Sequence, residues 1–261
     1  MKFTDSDALD LSTHLKTTKN RVHRVGIELE GAWNQDAIVG IKKKNLKVPN
    51  IERDGSVRFN PEELPEYNNI QWYVGEYPGP PLVVEKGPTD FREWLKVYYP
   101  TKVNATCGLH VHMSFSNALI YQRLMEVSYP ASIVRYMKDW AVKHKLPKEN
   151  PLWDRLAGKS IYCQHLFFPD EQVKDLRKDF NQTRHGCRYT VVNFCFSRNK
   201  TAEVRLLPAM PTVDLAIDSI ENLINVTNAY LVATAKKEVK HSAEIGLNDL
   251  TPFNEEHEVR I

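Results

Sequence analysis

Hydrophobic and polar residues alternate in three short segments of the chain, VGIELEG (25–31), CGLHVHMSF (107–115) and TAEVRLLP (201–208). In a strand, every second side chain points to the same face, so this alternation predicts strands with one apolar face against a core. The opposite face of each strand then carries a pair of ionisable residues two positions apart: Glu28 with Glu30, His110 with His112, and Glu203 with Arg205.

Further strands are predicted on either side of these segments. QWYVGEY (71–77) is typical of a strand that ends at the proline-rich PGPP, and RYTVVNFCF (188–196) predicts a hairpin with TAEVRLLP around SRNK. Residues 33–75 as a whole are predicted to be rich in strands and turns, with one turn at Asp54-Gly55.

Helical periodicity occurs in several segments. FREWLKVYY (91–99) follows the candidate caps Thr89 and Asp90, and Thr212 precedes the most regular amphipathic helix of the chain. The apolar side of that last helix carries Leu215, Ile217, Ile220, Leu223, Ile224 and Leu231. Further helices are predicted over about 4–17, over 116–145 with a break at Pro130, and over 171–180, with an irregular insertion at about 147–169.

Strands that alternate irregularly with helices indicate an α+β fold with a mostly antiparallel sheet and helices on one face. Such a sheet leaves its other face open for chemistry. We expect residues 1–261 to form a single domain, with a core at about 22–232 and a C-terminal tail at about 241–261.

The net charge, the cysteines and the lack of long apolar runs limit the classes of function that the chain fits. The net charge is +2, so no global field favours nucleic acid or an anionic membrane as a partner, and the lysines at 42–44 and 47 are more typical of a solvated loop. The four cysteines lack CxxC spacing and indicate free thiols in a reducing compartment. The first residues, MKFTDSDALD, lack the apolar core of a signal peptide, and no apolar run is long enough for a membrane span. These features predict a cytoplasmic protein.

The ionisable pairs suggest a metal centre. Two adjacent carboxylates repel each other, and burying them without partners costs several kcal/mol. Convergence on divalent cations would explain all three pairs. Each pair also has an ordinary structural interpretation: two acids on an exposed strand face, one buried and one exposed histidine, or a surface ion pair between Glu203 and Arg205.

Other polar residues are candidates for the same face. Glu76, ahead of the proline stop, is a further candidate metal ligand, and Asn193 is polar where a mid-strand apolar residue is expected. Asp54 is either a turn residue or a functional carboxylate. Arg184 and Arg188 either reach an anion or lie on a solvated face, and we count Asn193 and Arg188 as candidate nucleotide-binding residues.

The motifs, taken in order, resemble the amidoligase family, a branch of the glutamine synthetase and glutamate–cysteine ligase superfamily. The resembling elements are GIELE (26–30), DGS (54–56), the strand with Glu76 before PGPPL, CGLHVHMSF, RYTVVN…TAEVR (188–205) and the threonine-led helix. GLHVHMS is also similar to the GMHxHxS segment of glutamine synthetases. The resemblance covers roughly residues 22–232, and the chain departs from the family pattern in having EYPGPP where Glu followed by Ser-Pro is more common.

The resemblance implies a curved antiparallel sheet like that of the glutamine synthetase catalytic domain, with helices on the convex face. Its concave face would hold ATP and two or more Mg²⁺ or Mn²⁺ ions. Glu28 and Glu30 would serve different ions, and Glu76 would join one of them. His110 and Glu203 would complete the ion that holds the ATP phosphates, while His112 and Arg205 would contact phosphate and the transferring phosphoryl group.

The implied reaction is ATP-dependent amide formation. A substrate carboxylate attacks the γ-phosphoryl group of ATP to give an acyl phosphate, and an amine then displaces phosphate. The substrates would be small-molecule or peptide carboxylates and amines, with Asp54 as a candidate base. Two alternatives stay open: a metal-dependent phosphotransferase or hydrolase on the same fold, and a non-catalytic nucleotide-binding module.

Overall fold

The computed structural model describes residues 1–16, 21–64, 71–87, 90–116, 118–168, 188–195 and 199–235. Within these ranges a single sheet contains six strands: β1 (Arg24–Asn34), β2 (Trp72–Pro78), β3 (Leu82–Val83), β4 (Leu109–Ser114), β5 (Val192–Cys195) and β6 (Thr201–Val204). Their order is β2-β1-β4-β6-β5, β3 pairs with the start of β1, and these pairings are antiparallel. The predicted α+β class with an antiparallel sheet is confirmed.

The described ranges also contain six α-helices: α1 (Gln35–Lys43), α2 (Phe91–Tyr98), α3 (Ala118–Leu124), α4 (Ser128–Lys143), α5 (Leu152–Leu156) and α6 (Val213–Ala233). Two begin at predicted caps. The Asp90 carboxylate accepts hydrogen bonds from the backbone N–H groups of Arg92 and Glu93 at 2.8 and 3.1 Å, and Thr212 Oγ1 accepts one from Leu215 N–H at 3.3 Å. Thr89, the other candidate cap, lies outside the described residues.

The two faces of the sheet differ as the alternation predicts. The apolar residues of the central strands are fully buried in the main core, which also takes residues from the helices: Ile27, Leu29, Leu109, Val111 and Val204. Thr227 Oγ1 of α6 lies 3.6 Å from Met113 Sδ of β4, on this apolar side. The ionisable residues alternate with these positions and therefore lie on the opposite face.

The expectation that residues 33–75 are rich in strands and turns is wrong for residues 35–43, which form α1. β1 continues to Asn34, and α1 follows at once because the Asn34 side chain accepts a hydrogen bond from Ala37 N–H at 2.8 Å. Lys42 and Lys43 lie in the last turn, where positive charge stabilises a helix end. A local cap and terminal charges therefore decide the conformation of this segment.

The helix expected over 4–17 is also wrong for the described residues up to Lys16. A 3-10 helix covers only Asp5–Asp7, and the chain then extends along α4. There, Leu9 N–H donates to Ser132 Oγ at 3.0 Å and Leu11 N–H to Tyr136 OH at 2.6 Å. These tertiary hydrogen bonds replace the bonds that a helix would have made.

The helical region 116–145 is interrupted at residues 125–127 rather than at Pro130. Pro130 lies in the first turn of α4, where a missing backbone N–H costs no helical hydrogen bond. The insertion at 147–169 is irregular in its described part except for the short helix α5. The helix expected over 171–180 lies outside the described residues.

Three of the four cysteines lie among the described residues. Cys107, Cys163 and Cys195 are free thiols. Among the described helices, none combines the length and apolar character that a membrane crossing needs.

Candidate metal centre

Strand pairing brings the ionisable residues onto one face of the sheet. Residues directly opposite each other in an antiparallel pair point to the same side. The opposed pairs are Glu30 with Glu76, Glu28 with His110, His112 with Glu203, and Asn193 with Glu203. The predicted carboxylates, histidines and asparagine therefore form one continuous polar surface across five neighbouring strands.

Glu28, His112 and Glu203 form a first group that could hold a cation, because they offer one ligand atom each within 4.8 Å of one another. They are 8%, 1% and 3% exposed. His112 Nε2 lies 2.9 Å from Glu28 Oε1. Adjacent ligands of an octahedral ion with bonds of about 2.1 Å are about 3 Å apart, so this spacing suits Mg²⁺.

His110 lies between this group and the next. Its Nδ1 is 3.2 Å from Glu28 Oε2 and 3.7 Å from Glu203 Oε1, while its Nε2 is 3.7 Å from Glu30 Oε1. The resemblance implies that His110 completes the metal with Glu203, whereas the group just described contains His112.

Gly108 makes room for this arrangement. A Cβ at this position would lie 2.6 Å from His110 Nε2 and 3.0 Å from Glu30 Oε2. The Gly108 backbone N–H also donates to Glu30 Oε2 at 2.5 Å. A side chain here would displace two of the candidate ligands.

Glu30, Asp54 and Glu76 form a second group, again with one ligand atom each within 4.8 Å. Asp54 reaches it because residue 52 pairs with β2: Glu52 N–H donates to Glu76 O at 2.7 Å and Glu76 N–H donates to Glu52 O at 2.8 Å. Gly75 permits this contact, since a Cβ there would lie 2.0 Å from Glu52 O, and its φ of +157° is rare for other residues. Asp54 is thus held beside two sheet carboxylates.

Burial and neighbouring groups change the pKa values of the carboxyl groups in the second group. Burial, followed by the charges of Glu28, Glu30 and Asp54, raises the pKa of Glu76 to about 9. Burial also raises the pKa of Asp54, but hydrogen bonds from the Ser56 side chain and backbone outweigh it and lower that pKa overall. At neutral pH Glu76 is therefore protonated and Asp54 ionised.

In the first group, neighbouring cationic groups and hydrogen bonds lower the pKa of both carboxyl groups. Burial raises the pKa of Glu28, but the charge of His112 and hydrogen bonds from His110 and His112 hold it well below its usual range. For Glu203, burial is outweighed chiefly by the Arg205 guanidinium, which lowers the pKa of this carboxyl. Both carboxylates are therefore ionised and able to bind a cation at neutral pH.

Two buried polar atoms beside Glu203 have no hydrogen-bond partner among the described residues. Asn193 Nδ2 donates to Glu203 Oε2 at 2.6 Å, yet Asn193 Oδ1 is unpaired. Arg205 Nη1 donates to Glu203 Oε1, yet Arg205 Nε is unpaired. Buried atoms of this kind are costly unless a ligand or a water molecule satisfies them, so both are available to a group bound next to the first group.

Arg188 and Arg205 both contact the aromatic ring of Tyr189. The guanidinium carbons of Arg188 and Arg205 are 4.5 and 5.7 Å from the centroid of the Tyr189 ring, and Arg188 Nη2 donates to the Tyr189 hydroxyl. Two cationic groups therefore contact one aromatic ring. Arg184, the other candidate, lies outside the described residues.

Three contacts of the site were not foreseen. His112 Nδ1 lies 3.0 Å from Thr201 Oγ1, and Cys195 Sγ lies 3.5 Å from Glu203 Oε2. Thr201 lies two residues before Glu203, and Cys195 lies two residues after Asn193. The two-residue period of a strand would therefore have placed both on the polar face. Arg155 of α5, whose Nη1 donates to the carbonyl oxygens of Arg205 and Leu207 at 2.9 Å each, had no such signal.

The donor set fits hard divalent cations. Five carboxylates and two imidazoles share the face, and carboxylate oxygens are the ligands that Mg²⁺ and Mn²⁺ prefer. Comparison of the chain with models of protein families, with curated proteins and with solved structures gives no match.

Proposed function

We propose that the protein is an ATP-dependent carboxylate–amine ligase that forms an amide or isopeptide bond through an acyl phosphate. The observation that carries the proposal is the presence of two three-residue cation groups on one sheet face, with Arg205 in contact with one of them. This combination suits phosphoryl transfer, because catalysis there consists mainly of positioning and charge neutralisation. The motif order that resembles amidoligases, and with it a glutamine synthetase-like sheet, is part of the same proposal.

Two Mg²⁺ or Mn²⁺ ions are the implied cofactors. Glu28, His112 and Glu203 would hold one, and Glu30, Asp54 and Glu76 the other. Bound cations would neutralise phosphate oxygens and orient ATP for in-line attack. Because Glu28 and Glu30 are two positions apart on β1, one rigid strand sets the spacing between the two groups.

Arg205 would bind the phosphate side of ATP, and the unpaired Oδ1 of Asn193 would accept a hydrogen bond from a donor group of the nucleotide. The Arg205 guanidinium is permanently charged and keeps Nε free for an oxygen while Nη1 stays on Glu203. Arg188, on the same aromatic ring, adds a second cationic group for an anionic part of a substrate. As negative charge accumulates on the transferring phosphoryl group, Arg205 would stabilise it.

Asp54 would serve the amine substrate. Its low pKa keeps it ionised at neutral pH, and Ser56 fixes its orientation through hydrogen bonds of 2.6 Å from both N–H and Oγ. The Asp54 oxygen that does not bind the second ion would attract the ammonium form of an amine and accept a proton as the amine attacks the acyl phosphate.

Hydroxylamine trapping tests the proposal without knowledge of the natural amine. The purified protein is incubated with Mg²⁺, ATP, hydroxylamine and each of a panel of amino acids and γ-glutamyl peptides. A ligase would form a hydroxamate and release ADP in equal amounts, and both would depend on one carboxylate. Glu203→Gln should abolish both, whereas Glu149→Gln, an exposed carboxylate outside the sheet, should leave both unchanged.

The alternatives give different results in the same assay. ADP release without a carboxylate would favour a hydrolase, and phosphate transfer to a substrate without hydroxamate would favour a phosphotransferase. Absence of calorimetric Mg-ATP binding would contradict the ligase proposal altogether.

A further inference from the structure

The His112 ring is held at both of its nitrogens by groups of different character. Nε2 lies 2.9 Å from the Glu28 carboxylate, and Nδ1 lies 3.0 Å from the hydroxyl of Thr201. Thr201 is 1% exposed, begins β6 and shares the polar face with Glu203, two residues later. Its β-branched side chain has a restricted χ1 in a strand, which limits where the hydroxyl can point.

The proton on a neutral imidazole decides whether His112 can bind a cation. One ring nitrogen donates and the other accepts. If Nδ1 carries the proton, Thr201 Oγ1 accepts it, and the lone pair of Nε2 points to the cation group. If Nε2 carries the proton, it donates to Glu28, the Thr201 hydroxyl donates to Nδ1, and His112 cannot be a ligand.

His110 lacks this arrangement. Its Nδ1 and its Nε2 both approach carboxylates, Glu28 and Glu203 at one nitrogen and Glu30 at the other. A carboxylate at each nitrogen does not select one tautomer over the other. His112 belongs to the group whose ligand atoms lie within 4.8 Å of one another and His110 does not, although the two residues share a strand face.

We propose that Thr201 is a positioning residue that accepts a hydrogen bond from His112 Nδ1–H and so holds the ring while His112 Nε2 binds the cation at Glu28 and Glu203. The inference rests on the proposed metal site and deepens it, because it assigns the imidazole ligand to His112 instead of His110. Partners of this kind behind a metal-binding histidine set its tautomer and orientation, and their loss typically weakens metal binding about 10- to 100-fold.

The test compares three variants of the full chain by calorimetric titration with Mn²⁺. Thr201→Val keeps the side-chain shape and removes the hydroxyl, so affinity should fall about 10- to 100-fold. Thr201→Ser restores the hydroxyl and should bind close to wild type. Thr234→Val is the matched control, because it removes the hydroxyl of another buried threonine, which donates to Tyr230 O at 2.8 Å in α6.

A second readout reports the tautomer itself. In ¹⁵N-histidine-labelled wild-type protein with Mg²⁺, NMR should show His112 with a protonated Nδ1 and an unprotonated Nε2. A protonated Nε2 in this state would overturn the inference, and this result does not depend on whether any variant folds.

The outcomes separate this inference from the proposed function. Wild-type protein that binds no Mn²⁺ would overturn both. Wild-type protein that binds Mn²⁺, together with a folded Thr201→Val variant of unchanged affinity, would overturn only the role of Thr201. Equal losses in Thr201→Val and Thr234→Val would assign the effect to general destabilisation and would also overturn it.

Discussion

Binding of Mg²⁺ should release a proton from Glu76. Burial and the surrounding carboxylates raise the pKa of Glu76 to about 9. A group with this pKa is about 99% protonated at pH 7 and about half protonated at pH 9. Because a carboxylate must be deprotonated to bind a cation, each ion bound with Glu30 and Asp54 should displace about one proton at pH 7 and about half a proton at pH 9.

The sign of the pH dependence follows from the same shift. Apparent Mg²⁺ affinity should rise about tenfold per pH unit from pH 6 to 8 and level off near pH 9. In the metal-free protein, the folded-state pKa of Glu76 lies above its unfolded value near 4.5. Its contribution to stability is therefore fully present below about pH 4.5 and is lost as pH rises towards 9, so added Mg²⁺ should raise the unfolding temperature most at alkaline pH.

Calorimetry in two buffers with different ionisation enthalpies measures the released protons directly. At pH 7 the observed heat should depend on the buffer, with a slope of about one proton for this group. In Glu76→Gln the slope should fall by about one, because the side chain has no proton to lose, while the exposed Glu149→Gln should match wild type. Binding of Mg²⁺ with no buffer dependence at pH 7 would refute the reasoning.

Other substitutions test the remaining parts of the site. Arg205→Lys keeps the charge but loses the planar fork, so steady-state kinetics should show that turnover falls far more than Mg-ATP affinity. Glu203→Ala should instead weaken Mg-ATP binding itself. The reverse pattern would contradict both roles. Gly108→Ala should lower the free energy of unfolding by about 1–3 kcal/mol in urea titrations, because the added Cβ would lie 2.6 Å from His110 Nε2. The control Gly87→Ala, which has open space around it, should have little effect. Arg155→Met should cost on the order of 2–4 kcal/mol by the same measurement, because two carbonyl groups after β6 lose their donor; an unchanged stability would mean that these bonds do not hold the segment.

The polar face of the sheet could be predicted from the sequence because the strand period is fixed at two residues. Once one face is apolar, Glu28 and Glu30 must share the other, and the same holds for His110 and His112. The grouping of His112, instead of His110, with Glu28 and Glu203 could not be predicted, because it depends on the strand pairing that sets His112 opposite Glu203.

Parts of the site that depend on contacts between distant segments had no sequence signal. Asp54 joins Glu76 only because residue 52 pairs with β2, and a turn residue looks the same whether or not its loop docks on a sheet. Arg155 lies in a segment without clear periodicity, so its reach towards Arg205 depends on tertiary packing. The opposite error occurred at α1, where the prediction of a segment rich in strands and turns missed the local cap at Asn34.

The two hydrogen bonds between residue 52 and β2 make the second cation group a composite of a rigid sheet and a loop. Residues 44–64, which contain Asp54, have no helix or extended strand of their own. Opening of this loop would remove Asp54 while leaving Glu30 and Glu76 in place. The apparent affinity for a cation is then the intrinsic affinity multiplied by the fraction of molecules with the loop docked. A bound ion would in turn stabilise the docked form of this loop. Cation binding and docking of the loop on β2 would therefore be thermodynamically coupled.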